Sequence, residues 1–384
     1  MSVEKSPHYY HLNLDPKRIS FAREVRGLTK KELAEKIGKT PSAITLYEKE
    51  KSGISLETFI ALANTLSFPL SFFSKDALAL PDADLGQCYF RANRRVPQVE
   101  RLKAFSYAKQ VFTIYDYLTT NGVQFPSPNV PTFDGNQITE RQVEEIAMEV
   151  RSALGLGAGP ILDMARLLES IGIKIILVPS ETTKLDAFAT WFNGLPCVII
   201  DSYSAASRMQ FDYAHELAHL VMDEESTPED VLIERRANHF AYAFLMPAVS
   251  FREDCPHYYR QPLFASVKKY WHVSIAAALY RARELGIFSE NSYKSALIIR
   301  SRAGTRIQEE EEFSPPLPTL LDQGMKLICH DVRLDEMAHD LGMHLTELRK
   351  LLELQHVSVE TLDNMMPQST PAKIIDFSLV RKYI

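Results

Sequence analysis

Two histidines and a glutamate, His215, Glu216 and His219, sit side by side in the run FDYAHELAHLVMD, Phe211 to Asp223. Four residues is close to one turn of α-helix, so the two imidazoles leave the same face and can grip one ion. Glu216 is rotated about 100° from His215, near enough to an open coordination position to handle a proton of water. Two His ligands beside a carboxylate base is the arrangement that metal-assisted hydrolysis uses at HExxH spacing. The motif also arises by chance in chains of this composition, so a third ligand decides its meaning.

The following run, STPEDVLIERRANHFAYAFLMP, offers one. Thr227 is placed to cap a helix, Pro228 fits its first position, Asp230 fits the third position of a capping arrangement, and Pro247 closes it. Ile233, Ala237, Phe240, Ala241 and Phe244 make an apolar stripe with Glu234 at its margin. Glu234 follows His219 by fifteen residues, enough for an antiparallel return that turns its carboxylate toward the two imidazoles. A His₂Glu set with an open position would then form. Asp223 competes for the third place because it continues the His215/His219 face. His239 points to another side. Tyr213, Tyr242, Arg235 and Arg236 are candidates to steady an oxyanion, and nothing in the sequence selects among them.

These side chains need a scaffold. Upstream, TERQVEEIAMEVRSALGL reads as a helix capped by Thr139, with Val143, Ile146, Val150 and Leu154 on one side. GPILDMARLLESIGI reads as a second helix ending at Gly172. KIILVPS and PCVIID are β-rich, and Asn193-Gly194 between DAFATWF and PCVIID has hairpin-turn chemistry. The stretch RMQFDYAHELAHLVMD, followed by ERRANHFAYAFLMP, resembles the ImmA/IrrE family of metallopeptidases from about Gly159 to Pro247. Ala218 stands where that family commonly has Gly, and Asp223 where it frequently has His. The resemblance implies a zincin-like α+β domain, zinc as cofactor, His215, His219 and Glu234 as ligands, and Glu216 as catalytic residue.

The N-terminal segment DPKRISFAREVRGLTKKELAEKIGKTPSAITLYEKEKSGISLETFIALANTL breaks into four short helices. Pro16 opens the first, Ile19, Ala22 and Val25 line it, and Gly27 stops it. Thr29 caps the second, Gly38 ends it, and Thr40-Pro41 opens the third. The fourth should bury Leu56, Phe59, Leu62 and Leu66. Two short helices about a Gly-containing turn make a helix-turn-helix unit. The run LTKKELAEKIGKTPSAITLYEKEKSGISLETF resembles the Xre-type domain of phage repressors, which implies a lambda-repressor-like fold binding double-stranded DNA, usually as a homodimer. By that resemblance the recognition helix begins at Thr40, with Pro41, Ser42, Ala43, Thr45 and Leu46 toward the major groove and Ile44 and Tyr47 packing inward or onto the backbone. Lys30 replaces the usual Gln. Lys30, Lys31, Lys39, Lys49 and Lys51 can meet phosphates, whereas Arg, Asn and Gln for base edges are scarce.

Between these regions, Leu102, Phe105, Ala108, Val111, Phe112 and Tyr115 fall at helical spacing after a stretch that reads as loop, in which Arg91, Arg94 and Arg95 form a basic face. FPSPNVPTFDG then breaks the chain. Past Pro247, KKYWHVSIAAALYRARELG has helix-turn-helix cadence and is expected to pack on the metal domain. QEEEEF and SPPLP mark a linker near residues 308 to 318. RLDEMAHDLGMHLTELRKLLEL gives two more short helices about Gly342, with Met337, Leu341, Leu345, Leu348 and Leu351 as core and His330, His339 and His344 outside. This last segment lacks a basic cluster.

The 384 residues carry a net charge of −6, but Asp15 to Lys75 holds eleven Lys and Arg against seven Asp and Glu. A basic head on an acidic body points to nucleic acid at one end only. No apolar run of about 18 residues and no leader-like N-terminus occur, so a cytoplasmic protein with no membrane contact is expected. Cys88, Cys197, Cys255 and Cys329 lie too far apart for a thiolate metal site and read as reduced thiols. The expected architecture is mostly α with a small β-sheet. It comprises a helix-turn-helix domain over 14–76, a helical connector over 77–135, the metallopeptidase domain over 136–250, a helical extension over 251–307 and a C-terminal helical domain over 319–384. The expected function is a DNA-binding regulator whose metallopeptidase domain cleaves a repressor or other partner protein. The rival is an antitoxin-like repressor that senses a ligand or partner, such as a toxin, through a non-catalytic pocket.

Overall fold

The computed structural model describes residues 14–74, 77, 79–81, 89–90, 97–134, 138–179, 187–202, 204–223, 231–304 and 313–366. Thr227, Pro228, Asp230, Cys88, Arg91, Arg94, Arg95 and the acidic run before Phe313 lie outside them.

The N-terminal unit packs α1 (Pro16–Val25), α2 (Lys30–Lys36), α3 (Pro41–Glu48) and α4 (Leu56–Leu66) around one core, followed by a 3₁₀ turn at Leu70–Phe73. Thr29 and Glu32 form a reciprocal cap on α2: the Glu32 carboxylate accepts the Thr29 N–H at 2.8 Å, and Thr29 Oγ1 accepts the Glu32 N–H at 3.2 Å. Gly38 ends α2 with φ +65°, a backbone state that a side chain would disfavour. Leu56 departs from expectation: it is 44% exposed in the first turn of α4, while Phe59, Leu62 and Leu66 carry the burial. Arg18, on the core side of α1, donates to the Phe72 carbonyl at 3.0 Å and lies 3.7 Å from Asp15.

The remainder is built on a four-stranded sheet of order β1-β4-β5-β3, comprising β1 (Tyr89–Phe90), β3 (Lys174–Val178), β4 (Ala187–Phe192) and β5 (Leu195–Asp201). The β4–β5 hairpin turns through Asn193 and Gly194, at φ +50° and +74°, as its turn chemistry requires. β3 runs parallel to β5. A second pair joins β2 (Phe133–Asp134) to β6 (Met222–Asp223). β1 lies in a stretch read as loop; two residues are too few to show alternation, and antiparallel pairing to β4 alone makes them a strand.

Alternate residues of the strands enter two separate cores. Ile175, Leu177, Ala189, Val198 and Ile200 join the core under α6 (Glu140–Ala153), α7 (Met164–Ser170), α8 (Ala206–Val221) and α9 (Val231–Leu245). The same core takes in α10 (Ala248–Asp254), α11 (Gln261–Trp271), α12 (Ile275–Glu284) and α13 (Glu290–Arg302), so the KKYWHVSIAAALYRARELG helices do pack on this domain. Ile176, Val178, Phe188, Phe192 and Ile199 face the other way. There they meet α5 (Gln98–Thr120) and the final helices, α14 (Leu320–Ile328), α15 (Leu334–Asp340), α16 (Leu345–Leu354) and α17 (Val359–Asn364). The segment read as a connector therefore contributes a layer of the fold: α5 lays Phe105, Val111, Phe112 and Leu118 on the sheet. Burial on both faces explains why the strands read as unbroken apolar runs. Among the described residues, Cys197, Cys255 and Cys329 are free thiols, and no helix is long and apolar enough to cross a membrane.

Candidate metal centre

α8 is buried almost all round, and α9 returns antiparallel against it, with Phe211 beside Tyr242 at one end and His219 beside Glu234 at the other. Ala214, Ala218, Ala237 and Ala241 are fully buried, and their small side chains let the two helices approach closely. The approach brings three donors together. His215 Nε2 and His219 Nε2 are 3.2 Å apart. Glu234 Oε2 lies 3.4 Å from His215 Nε2, and Glu234 Oε1 lies 3.5 Å from His219 Nε2. Donors placed about 2.0–2.1 Å from a tetrahedral ion are roughly 3.3 Å from one another. The observed spacings match that figure, so the donor set fits a small divalent cation with one position left open. Among the described residues this is the one cluster of His, Cys, Asp or Glu with such geometry.

Burial alone would raise the Glu234 carboxyl. Hydrogen bonding and charge from His215 and His219 outweigh it and hold the group well below the usual carboxylate range, so it stays ionised as a ligand must. His215 is fully buried and His219 is 3% exposed, whereas the Glu234 side chain keeps 17% of its surface open. Glu234, on α9, is thus the ligand with most surface open among the described residues. Glu216 is buried on the turn between the two histidines.

Other expected residues divide clearly. α8 ends at Val221 and the backbone of Asp223 belongs to β6, so the helix that carries His215 and His219 does not extend to it. His239 turns away, with Nε2 3.4 Å from Glu144 and Nδ1 3.5 Å from Glu284. Tyr213 is wholly buried, and burial pushes its hydroxyl well above the usual range, which keeps it protonated. Arg236 donates to the Ile138 carbonyl at 2.7 Å and so ties α9 to the chain just ahead of α6. Tyr242 is half-buried and belongs to a row that the sequence did not suggest. The Phe211 ring lies 6.5 Å from that of His215, Tyr242 lies 4.9 Å from Phe211, and Tyr280 stacks on Tyr242 at 4.4 Å. The row draws on α8, α9 and α12, so no local pattern could reveal it.

On the N-terminal unit, Thr40, Pro41, Ser42 and Leu46 are exposed, and Ala43 and Thr45 half so. Thr40 is committed as the cap of α3, accepting the Ala43 N–H at 3.2 Å, and Thr45 donates to the Pro41 carbonyl at 3.1 Å. Lys30 is drawn 3.1 Å from Glu48, which itself binds Arg23 at 2.6 Å; Lys39 and Lys49 remain exposed.

Comparison with known families agrees with both halves. Residues 19–73 match the helix-turn-helix family model, and residues 168–283 match that of the IrrE N-terminal-like domain, a peptidase family. Neither match reaches α5, α6 or the helices after α12. No curated protein matches the chain.

Proposed function

We propose that this chain, an Xre-type helix-turn-helix unit fused to an IrrE/ImmA-like metallopeptidase domain, is a cytoplasmic DNA-binding regulator whose metal site hydrolyses a peptide bond in a partner protein. The observation that carries the reading is the convergence of His215, His219 and Glu234 at ligand spacing on neighbouring helices. Two imidazoles and one carboxylate suit zinc better than the oxygen-seeking Mg²⁺ or Ca²⁺. Zinc held by these three residues would supply Lewis-acid polarisation of a carbonyl and a lowered pKa for water. Glu216 would accept a proton from the attacking water on its carboxylate and deliver it to the leaving amine. Phe211, Tyr242 and Tyr280 would wall the approach and hold apolar side chains of an extended substrate loop while excluding water.

Replacing Glu234 by Ala tests the centre. It should weaken zinc binding by at least ~100-fold, since even outer partners of a metal site carry about 10–100-fold. Competition against a chromophoric chelator measures it, and equal affinity of parent and variant would dismiss the third ligand.

At the other end, Ser42, Ala43, Thr45 and Leu46 would enter the major groove, with Thr40, Pro41 and Lys30 at its edge and two copies on paired half-sites. Lys39 and Lys49 would meet phosphates. Replacing both by Ala should reduce the slope of log affinity against log salt by about 2, at roughly 0.9 per phosphate contact. Filter binding to duplex across a salt series checks this. An unchanged slope would place the phosphates elsewhere.

A further inference from the structure

We infer that residues 320–366 are a second helix-turn-helix unit, a diverged copy of residues 16–66 that no longer contacts nucleic acid and instead docks the first unit onto the sheet. The copy is visible in sequence: ELAEKIG (Glu32–Gly38) recurs as EMAHDLG (Glu336–Gly342), and ISLETF (Ile54–Phe59) as VSVETL (Val357–Leu362). It is equally visible in structure. α2 and α15 are each seven residues long, and the glycine after each has positive φ, +65° at Gly38 and +62° at Gly342. The closing bonds correspond, Lys39 N–H to Ala34 O at 2.9 Å and Met343 N–H to Ala338 O at 2.8 Å. Ser55 and Ser358 cap the next helix, each bonded to the Thr three residues on, at 2.9 Å and 2.7 Å.

The cores correspond too. Leu33, Ala34, Ile44, Ile54, Thr58 and Phe59 are buried, and so are Met337, Ala338, Leu348, Val357, Thr361 and Leu362 at the matching places. α1 buries positions 18, 21, 22 and 25, and α14 buries 321, 324, 325 and 328. Ten matched core positions with shared caps and turns describe one fold used twice.

The surfaces have diverged in charge. Residues 16–66 carry ten Lys and Arg against six Asp and Glu; residues 320–366 carry four against nine. Lys30, Lys31, Lys36 and Lys39 become Leu334, Asp335, Asp340 and Met343. Cations that could meet phosphates have turned apolar or acidic: two lose the attraction and two repel a polyanion.

The second unit has partners of another kind. Glu347 holds in α16 the position that Ala43 holds in α3, and it is ion-paired with Arg26 of the first unit. Arg26 also donates to the Leu66 and Ser67 carbonyls at 2.6 and 3.0 Å. Gly342 meets Phe72 so closely that a Cβ there would fall 3.1 Å from the Phe72 Cα. On the opposite side the Gln355 amide both donates to Leu177 O and accepts from Leu177 N–H, each at 2.8 Å, extending the open edge of β3. Glu169 accepts the N–H groups of Thr319 and Leu320 at the head of α14. The acidic copy is thus a bracket between the DNA-facing unit and the sheet.

Hydrogen–deuterium exchange on the full chain tests the docking. Glu347→Arg should speed exchange at residues 66–74 and 342–348 by at least ~10-fold, and the swap Arg26→Glu with Glu347→Arg should restore protection. The milder Glu347→Gln should move the same amides in the same direction, which separates undocking from misfolding. Unchanged exchange in both variants overturns the bracket. A mixed-sequence duplex of about 30 base pairs tests the lost contact: Lys350→Glu should leave affinity within about twofold, whereas Lys39→Glu should lower it. An equal drop in both would make the second unit a reader of DNA. If the parent chain fails to bind duplex at all, the DNA-binding reading of the first unit falls, and the exchange result still judges the docking.

Discussion

Exchanging Glu216 for Gln is expected to remove peptide hydrolysis, a fall of at least ~10²–10⁴-fold, while zinc content stays at one ion per chain. Gln has the size of Glu, which matters at a position only 1% exposed. It keeps an oxygen and an amide but cannot take up a proton near neutral pH. His215, His219 and Glu234 form the donor set without it, so the metal should remain. The measurement is cleavage of a defined mixture of short peptides covering all neighbouring residue pairs, read by mass spectrometry beside metal analysis. A variant that cuts as fast as the parent would remove Glu216 from the proton path. A zinc-loaded parent that cuts nothing, yet binds duplex, would favour the rival sensor or antitoxin-like repressor, in which the same three side chains hold a metal for regulation alone.

What the chain discloses about this site follows from how far each signal extends along it. His215 and His219 are one turn apart, so helical period places them on one face without tertiary information. Glu234 required one further step, its place at the margin of the Ile233–Phe244 stripe, because a buried stripe must face another element. Asn193-Gly194, Gly38 and the Thr29–Glu32 pair declare their turns and caps through their own backbone chemistry. Other features depend on distant neighbours. α5 shows an apolar face, but only the fold supplies the sheet surface that covers it. Leu56 satisfies the helical period and still faces solvent, since a residue in the first turn of α4 lies at the rim of a small core. Lys30 reads as a phosphate contact, and the fold also sets its ammonium 3.1 Å from Glu48, eighteen residues later, a pairing that no local pattern shows. Asp223 has the helical spacing, but the helix stops two residues earlier and its backbone joins a strand.

Arg281 is the extreme of that non-local class, and replacing it by Ala is expected to destabilise the metallopeptidase domain by about 3–5 kcal/mol, the scale for breaking a buried ion pair from one side. Arg281 lies within the run YRARELG and is fully buried. Its Nε donates to the Met246 carbonyl at 3.0 Å, at the end of α9. Nη1 reaches Glu144 at 2.9 Å and Glu284 at 2.7 Å, and Nη2 reaches the second Glu144 oxygen. One guanidinium therefore ties α6, α9 and α12 together behind the helix that carries Glu234. Lys cannot substitute, because a single ammonium does not match this fork of acceptors. Burial would raise the Glu144 carboxyl, but hydrogen bonds and charge from His239 and Arg281 bring it down to about 2. A depressed carboxylate contributes its stability in full above its unfolded value of about 4.5 and loses it as pH falls toward 2. The gap between parent and Arg281→Ala should then be widest near neutrality and shrink as pH falls from about 4.5 to 2. Urea unfolding at pH 7 and pH 3.5 gives both numbers. A loss below about 1 kcal/mol at pH 7 would mean that water reaches the carboxylates and does the work of the arginine, whereas adding Glu144→Gln to Arg281→Ala should recover part of the loss by removing the stranded charge.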